Sequence, residues 1–370
     1  MKLTVLSEHL QKKIQLINKG VSSKSQLPIL LNILLEAKNG KLHINSTDLE
    51  IGIQTSIPVN IEEEGSVTTP ARIFSDLISA LSSEKITIQT KNTTLEIITT
   101  KTKSVLQTTP SEEFPKLYEE KGKEIMQIKK ETLQKDFSRV VFAASFDTSR
   151  PALSGVYIKQ GELGNKLLLV ATDGYRLSLQ QAKKEVELEK PLLIPVRVLR
   201  EVMGIKEENN IVNMFIAEQK NQVLFEQGET VVVGRLIDAQ FPQYEKIIPT
   251  DFSTRALFDR QELLKAVKMS AVFARESANI IRFSLKKDMI IVSANSAQVG
   301  ENTVEVEAKV KGEETEIAFN ARYLLDFLGT IEEEDIVLEM TTPTSPGVFK
   351  IKDDPSFLHL IMPIRVQTEE

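Results

Sequence analysis

Hydrophobic and polar positions alternate along several stretches of this chain. Residues 85–90, 230–235 and 303–307 are alternating or rich in β-branched side chains, which is the pattern of strands with a buried face. Turn dipeptides such as Asn39-Gly40 and Asp173-Gly174 separate such stretches. The pattern predicts a fold that contains several sheets.

Helical spacing recurs as well, around three arginines that stand 125 positions apart, Arg72, Arg197 and Arg322. Each follows a Pro or Asn two residues earlier, precedes apolar residues and has an acidic residue four positions later. Pro or Asn there is typical of a helix start, and the arginine and the acid lie on one helical face. The three segments therefore predict equivalent helices in a chain built from three copies of one domain.

A second amphipathic run opens about 65 residues before each arginine segment, at Glu8, Glu131 and Gln261. Each copy should therefore hold two helices with strands between them, an α+β class, and span close to the commonest domain size. We place the three domains at residues 1–122, 123–250 and 251–370. The six predicted helices are residues 6–20, 70–83, 129–145, 195–206, 259–275 and 320–331.

Composition limits the class of protein. With 41% hydrophobic and 26% charged residues, the chain is typical of soluble globular proteins that hold several cores. No run approaches the roughly 18 apolar residues of a membrane span, and the first residues do not form a signal peptide. The chain has no cysteine, so it has neither disulfides nor thiolate metal sites. We expect a cytoplasmic protein.

Signatures of catalysis are scarce. The three histidines, His9, His43 and His359, stand singly without the spacing of metal ligands. The sequence shows no nucleophile elbow, phosphate loop or dinucleotide fingerprint. The acidic runs at 62–64 and 332–335 lie beside turns and are typical of solvated loops. We expect no catalytic residues, no metal and no cofactor.

Charge is distributed unevenly along the chain. The net charge is −6, yet the six predicted helices hold sixteen basic and eight acidic residues, which leaves −14 for the remainder. If the helices share one face, that face attracts phosphate. The alternative is that helices favour Lys and Arg by propensity alone, although they favour Glu equally.

Seven short stretches stand in the same order and at the same spacing as in a known family: residues 27–30, 47–50, 70–72, 171–177, 241–244, 319–326 and 362–365. The chain resembles the bacterial sliding clamps, the beta subunits of DNA polymerase III. The resemblance implies a head-to-tail dimer that forms a six-domain ring, with helices lining a central hole and sheets outside. Such a ring encircles duplex DNA and tethers the polymerase alpha subunit, the clamp loader and other replication and repair proteins.

DNA-facing residues are expected on the helices and in two loops. Lys24, Arg150 and Arg197 match positions where the family touches DNA, and the others follow from the helix prediction. The alternative for Arg72 and Arg322 is a surface ion pair with the acid four positions later. None of these contacts should read the base sequence. The full set is Lys12, Lys13, Lys24, Arg72, Lys135, Arg139, Arg150, Arg197, Arg200, Lys265 and Lys268.

Ring closure requires an interface between unlike ends. Residues 101–108 are basic, whereas residues 301–307 alternate acids with valines, so two edge strands of opposite charge would favour first-to-third pairing. The resemblance adds an apolar seam; the alternative is that its residues belong to the local cores. The predicted interface residues are Arg72, Lys101, Lys103, Leu106, Val272, Phe273, Glu301 and Glu305.

The resemblance also implies a pocket for partner peptides between the second and third domains. Two residues depart from the family's common pattern, Tyr175 in place of a histidine and Lys246 in place of an arginine, and an acidic tail, 367–370, extends past the usual end. The matching positions are Leu153, Thr172, Gly174, Tyr175, Arg176, Leu177, Pro242, Lys246, Ile247, Tyr323, Ile361, Met362, Pro363, Ile364 and Arg365.

Two other functions are compatible with parts of the sequence. A repeat-built interaction scaffold unrelated to DNA would explain the copies and the missing active site. A DNA-processing enzyme would need a metal or nucleophile cluster that the sequence does not display.

Overall fold

The structure is a computed structural model that describes residues 1–22, 24–147, 149–161 and 166–365. The acidic tail 367–370 lies outside the described residues. The chain forms two compact units, one of Met1–Leu133 with Arg197–Leu236, the other of Gln134–Val196 with the chain from Ile237 onward. The domain boundaries after residues 122 and 250 stay a prediction.

All six predicted helices are present, each shorter than predicted at one or both ends. The prediction of an α+β fold with two helices in each copy is therefore confirmed. The helices are α1 Ser7–Ile17, α2 Ala71–Ala80, α3 Lys130–Val141, α4 Val196–Gly204, α5 Arg260–Ala274 and α6 Ala321–Thr330.

Twenty-five strands are formed by the described residues, and the three stretches predicted from alternation all lie in strands. They are β1 Lys2–Leu6, β2 Asn32–Lys38, β3 Lys41–Thr47, β4 Ile51–Pro58, β5 Asn60–Glu63, β6 Gly65–Pro70, β7 Lys85–Lys91, β8 Thr94–Ile98, β9 Lys103–Gln107, β10 Lys123–Lys129, β11 Gly155–Gln160, β12 Lys166–Thr172, β13 Arg176–Glu185, β14 Leu192–Pro195, β15 Ile211–Ala217, β16 Gln222–Gln227, β17 Thr230–Arg235, β18 Thr254–Asp259, β19 Ile280–Lys286, β20 Met289–Ser296, β21 Gly300–Lys311, β22 Thr315–Asn320, β23 Asp335–Met340, β24 Gly347–Ile351 and β25 Asp354–Ile361.

The first unit contains two sheets. One has five strands in the order β5-β1-β7-β8-β9, and the other has eight in the order β10-β15-β16-β17-β4-β3-β2-β6. Antiparallel pairing of β17 with β4, with Val232 opposite Ile53, joins strands of the first two copies into one sheet.

The second unit is built on a single sheet of twelve strands, in the order β14-β11-β12-β13-β25-β24-β23-β18-β21-β20-β19-β22. Strand β13 of the second copy pairs with β25 of the third, and Leu177 lies opposite Leu360. Helices α5 and α6 pack together, and α5 also packs on β20 and β21. Their core is rich in fully buried aromatic rings, among them Phe283, Phe319 and Phe327.

Local sequence explains where these helices begin. The side chain of Asp259 accepts a hydrogen bond from the backbone N–H of Glu262 at 2.9 Å, and Asn320 accepts one from Arg322 N–H at 2.9 Å. Such caps satisfy donors that the first turn of a helix leaves unpaired. Along α5, buried residues recur three and four apart, from Leu263 to Ala274, so its apolar stripe faces the core.

Two hairpin turns repeat the same hydrogen bonds 125 residues apart, at 47–51 and 172–176. In each, a threonine hydroxyl donates to the carbonyl oxygen four residues later and accepts the N–H two residues later. The aspartate that follows it accepts two backbone N–H groups in each turn. The internal repetition seen in the sequence therefore extends to local geometry.

The DNA-facing role predicted for Arg139 is wrong, because its guanidinium is buried in the second unit. Its side chain is 4% exposed; it donates to Gln180 at 2.9 Å and to Asp354 at 3.1 Å, and it also pairs with Glu333. Lys135, one helical turn earlier, is half exposed and lies 2.9 Å from Glu333. Helical spacing alone could not tell which of the two cations points inward.

A histidine without a predicted function, His359, is fully buried in β25. Its Nδ1 lies 2.6 Å from the hydroxyl of Ser178, and its ring stacks on Phe327 with centroids 4.8 Å apart. Burial lowers the pKa of His359 well below its usual range, and the positive charge of Arg176 lowers it further. Its Nε2 has no hydrogen-bond partner among the described residues, which also favours the neutral ring.

Replacing Arg139 with alanine should lower the free energy of unfolding by about 3 kcal/mol, because Glu333 and Asp354 would lose their buried partner. Urea titration measures this. Lys135→Ala is the matched control, since an exposed ion pair contributes well under ~1 kcal/mol. Equal effects of the two substitutions would contradict the assignment.

Stability should fall as the pH drops below about 6.5, since only the unfolded chain then protonates His359. Between pH 6.5 and 5.5 the loss from this one group is about 1 kcal/mol. Urea titrations at both pH values should show a smaller difference for His359→Phe than for the natural protein. An unchanged difference would mean that His359 is protonated in the folded state.

Candidate partner-binding and DNA-facing sites

The candidate peptide pocket is built on the turn between β12 and β13. The Oδ1 atom of Asp173 accepts the N–H groups of Tyr175 at 2.8 Å and Arg176 at 3.0 Å. The hydroxyl of Thr172 accepts the N–H of Gly174 at 3.0 Å. The turn leaves the side chain of Tyr175 59% exposed.

Gly174 adopts a positive φ of 95°, a conformation that favours glycine. The equivalent position in the first copy is Leu49, which adopts a φ of 77°. A Cβ added to Gly174 would lie 3.7 Å from the guanidinium of Arg150, which is an ordinary contact. Glycine therefore avoids backbone strain at this position and adds no side chain to the surface of the turn. Space alone would admit a larger residue.

Arg176 fastens this turn to the third copy. Its side chain is 3% exposed, and its guanidinium donates to Asp173 at 3.0 Å and to Asp326 at 2.7 Å. The same guanidinium stacks over the ring of Tyr323 at 4.5 Å and lies 5.7 Å from that of Phe142. Arg176 thus positions Tyr323 and the turn. Its own side chain is too buried for a ligand to contact much of it.

The chain beyond β25 forms the other side of the site. The N–H of Met362 donates to the carbonyl of Tyr175 at 2.8 Å, and the N–H of Ile364 donates to that of Ala318 at 2.8 Å. These bonds hold Met362, which is 37% exposed, directly beside the exposed tyrosine.

An apolar cluster lies under the turn and extends to the segment after β17. Leu177 packs there with Phe241 and Tyr244. Tyr157 stacks on Phe241 with centroids 4.8 Å apart. Tyr244 is buried in this cluster, whereas residues 245–247 after it are exposed. Ile247 is 43% exposed.

The predicted pocket residues therefore divide by exposure. The buried group shapes the site from below and comprises Leu153, Thr172, Arg176, Leu177 and Ile361. The partly exposed group comprises Tyr323, Pro363 and Ile364, and the exposed group comprises Gly174, Tyr175, Pro242, Lys246, Ile247, Met362 and Arg365. Sequence reasoning missed Asp173 and Asp326 as partners of Arg176, and no local pattern signals a bond across 150 residues.

Most of the cations predicted to face DNA are exposed. Lys13 differs, because its side chain is 17% exposed and pairs with Glu207. Arg72 lies 4.0 Å from Asp76 in a loose pair, as the ion-pair alternative expects. Arg150 lies 3.5 Å from Asp147. The exposed cations of the predicted set are Lys12, Lys24, Arg72, Lys135, Arg150, Arg197, Arg200, Lys265 and Lys268.

The two predicted edge strands are edges among the described residues. Strand β9 pairs with β8 alone, and the first eight residues of β21 pair with β20, whereas β18 pairs only from Ala308 onward. Val272 on α5 is 62% exposed, while Val306 in β21 is buried in the core. Lys103 lies 2.8 Å from Glu96 of its own sheet.

Two features are absent from the described ranges. No helix there is long and apolar enough to cross a membrane. No group of acidic or histidine side chains there is arranged to hold a metal ion.

Family models match three consecutive parts of the chain. They describe the N-terminal domain of the DNA polymerase III beta subunit at residues 1–118, its central domain at 127–243 and its C-terminal domain at 245–365.

Curated relatives and solved structures agree with these models. The beta sliding clamp of Bacillus subtilis is 30% identical over 99% of this chain and 100% of its own length. That of Synechococcus elongatus is 29% identical over 100% of both chains. The solved B. subtilis clamp has a TM-score of 0.91 at 30% identity, covering 99% of this chain and all of its own. A Bartonella birtlesii clamp bound to griselimycin has a TM-score of 0.93 at 26% identity, with the same coverage. The chain belongs to the family of DNA polymerase III beta subunits, the beta sliding clamps.

Proposed function

We propose that this protein encircles duplex DNA as a closed ring of two chains and tethers the replicative polymerase to it. It is a DNA sliding clamp, the non-catalytic processivity subunit of a polymerase. The observation that carries the proposal is the similarity to beta sliding clamps along the entire chain.

The helices would supply the inner wall of the ring. Exposed cations such as Lys12, Arg72 and Lys265 attract phosphates without reading bases. Because a closed ring cannot fall off, tight DNA contacts are unnecessary, and a modest excess of positive charge suits sliding. The acidic remainder of the chain repels DNA elsewhere.

Two unlike edges would close the ring. The basic β9, flanked by Lys101, would pair with the acidic first half of β21, which carries Glu301 and Glu305. The exposed Val272 would face the region of Leu106 on the partner and remove apolar surface from water.

The pocket beside Tyr175 would bind an extended peptide. Its exposed apolar side chains, Tyr175, Ile247 and Met362, can bury two or three anchors worth about 1.5–3 kcal/mol each. Micromolar affinity, about −8 kcal/mol, is reached only if little ordering cost intervenes, so we expect binding to be weak and exchangeable. Partners of this class are the polymerase alpha subunit, the clamp loader and other proteins with a clamp-binding motif. We place this binding in the cytoplasm and expect this chain itself to need no cofactor.

Light scattering over a range of concentrations should give a stable mass near twice the 41.5 kDa of the chain. Val272→Asp should shift the protein toward monomer, since the charge would be buried at the seam. Leu27→Asp, at a similarly exposed leucine in the segment before β2 and outside the proposed interface, is the control and should remain dimeric. A monomer at every concentration would leave no ring, and a repeat-built scaffold would become the better account.

Met362→Ala should weaken binding of a labelled clamp-binding peptide roughly tenfold, because about 1.4 kcal/mol of apolar contact is lost. Fluorescence anisotropy measures this, and stability should change little, since Met362 is exposed. Val299→Ala removes a more exposed apolar side chain outside the pocket and should leave the affinity unchanged. If Met362→Ala binds as tightly as the natural protein, the pocket lies elsewhere.

A further inference from the structure

Three ion pairs in the first unit connect the first copy to α4 of the second and the loop that follows it. Arg197 pairs with Asp48, and Lys19 lies 2.7 Å from Glu201. Lys13 pairs with Glu207. Arg197 also donates to the carbonyl oxygen of Lys19 at 2.9 Å. Cations of this proposed inner wall thus already have carboxylate partners.

The carboxylate of Asp48 is held in place by the turn that it stabilises. Its Oδ1 accepts the N–H groups of Glu50 at 3.0 Å and Ile51 at 2.9 Å, and its Oδ2 faces Arg197. The Asp48 side chain is 14% exposed. A carboxylate fixed by two backbone donors keeps its position whether or not the guanidinium is present.

The cations of the Arg197–Asp48 and Lys19–Glu201 pairs remain accessible. The side chain of Arg197 is 49% exposed and that of Lys19 is 50% exposed, while Lys13 is 17% exposed. A guanidinium has five N–H donors and an ammonium has three, so each can turn toward a second anion. At half-exposed positions, exchanging one anion for another changes the free energy little.

We propose that Asp48 and Glu201 compete with DNA phosphates for Arg197 and Lys19, and so keep the grip of the ring on DNA weak. This inference rests on the proposed function. When a phosphate arrives, the cation leaves its carboxylate; when the phosphate moves on, the carboxylate takes the cation back. The ring therefore exchanges contacts at this joint as it slides, and no cation is left unpaired between phosphates.

The substitution Asp48→Asn tests the competition. Asparagine keeps an oxygen that can accept from both backbone donors of the turn, so the turn is retained while the charge is lost. A short blunt-ended duplex can thread a closed ring from its end, and fluorescence anisotropy of such a labelled duplex over a range of KCl gives its affinity.

Asp48→Asn should bind the duplex several-fold more tightly, and the slope of log affinity against log salt should steepen by about 0.9, one phosphate contact. In an Arg197→Gln background the same substitution should change neither quantity, because the cation released by it is missing. Glu201→Gln should act like Asp48→Asn, through Lys19.

Asp76→Asn is the matched control for charge. It removes the same charge from a carboxylate that is 78% exposed and 4.0 Å from Arg72, so it releases no held cation and the slope should stay unchanged.

Equal effects of Asp48→Asn and Asp76→Asn, or an undiminished effect without Arg197, would overturn the competition. Such results would mean that the net negative charge of the protein weakens DNA binding in general. If the natural protein is retained on circular DNA but Asp48→Asn has the same duplex affinity and salt slope as the natural protein, this inference alone is overturned. A natural protein that no DNA retains would overturn the proposed function itself.

Discussion

Antiparallel pairing between strands of neighbouring copies is the interaction on which both joints depend. At the second joint, β13 pairs with β25, and the N–H of Met362 then bonds the carbonyl of Tyr175 at 2.8 Å. At the first joint, β17 pairs with β4, and the N–H of Arg235 bonds the carbonyl of Glu50 at 2.9 Å. Each backbone link brings the chain end of one copy against the turn of the copy before it. Without the second link, nothing would bring together the pocket residues, which are spread over 153–365 of the sequence.

The same turn occurs at both joints with different side chains around it. At the second joint the guanidinium partner of the turn aspartate is the buried Arg176, which leaves an apolar surface for a peptide. At the first joint the partner is the half-exposed Arg197 of α4, which leaves a cation that phosphate can reach. In the proposed function, one backbone motif would thus support a partner site in one place and a DNA contact in the other.

Much of this fold could be predicted from the sequence, because its patterns are local. The arginine spacing and the amphipathic runs predicted the six helices, and alternation predicted β7, β17 and part of β21. The direction in which side chains point could not be predicted. Arg139 shares a helix with Lys135, yet Arg139 is buried and pairs with Glu333 and Asp354 of the third copy. The partnership of Arg176 with Asp326 was equally invisible, because it depends on the pairing of distant strands. The location of the pocket came from the family resemblance, since Asp173-Gly174 by itself predicts only a turn.

Topological linkage to DNA is tested directly by comparing circular with linear DNA. The protein is loaded onto a nicked circular plasmid with a clamp loader and ATP, and gel filtration separates bound from free protein before and after one restriction cut. The protein should elute with the circle and be lost once the DNA is linear, because the ring slides off the ends. Equal retention on circular and linear DNA would show binding by contact alone and would contradict the account.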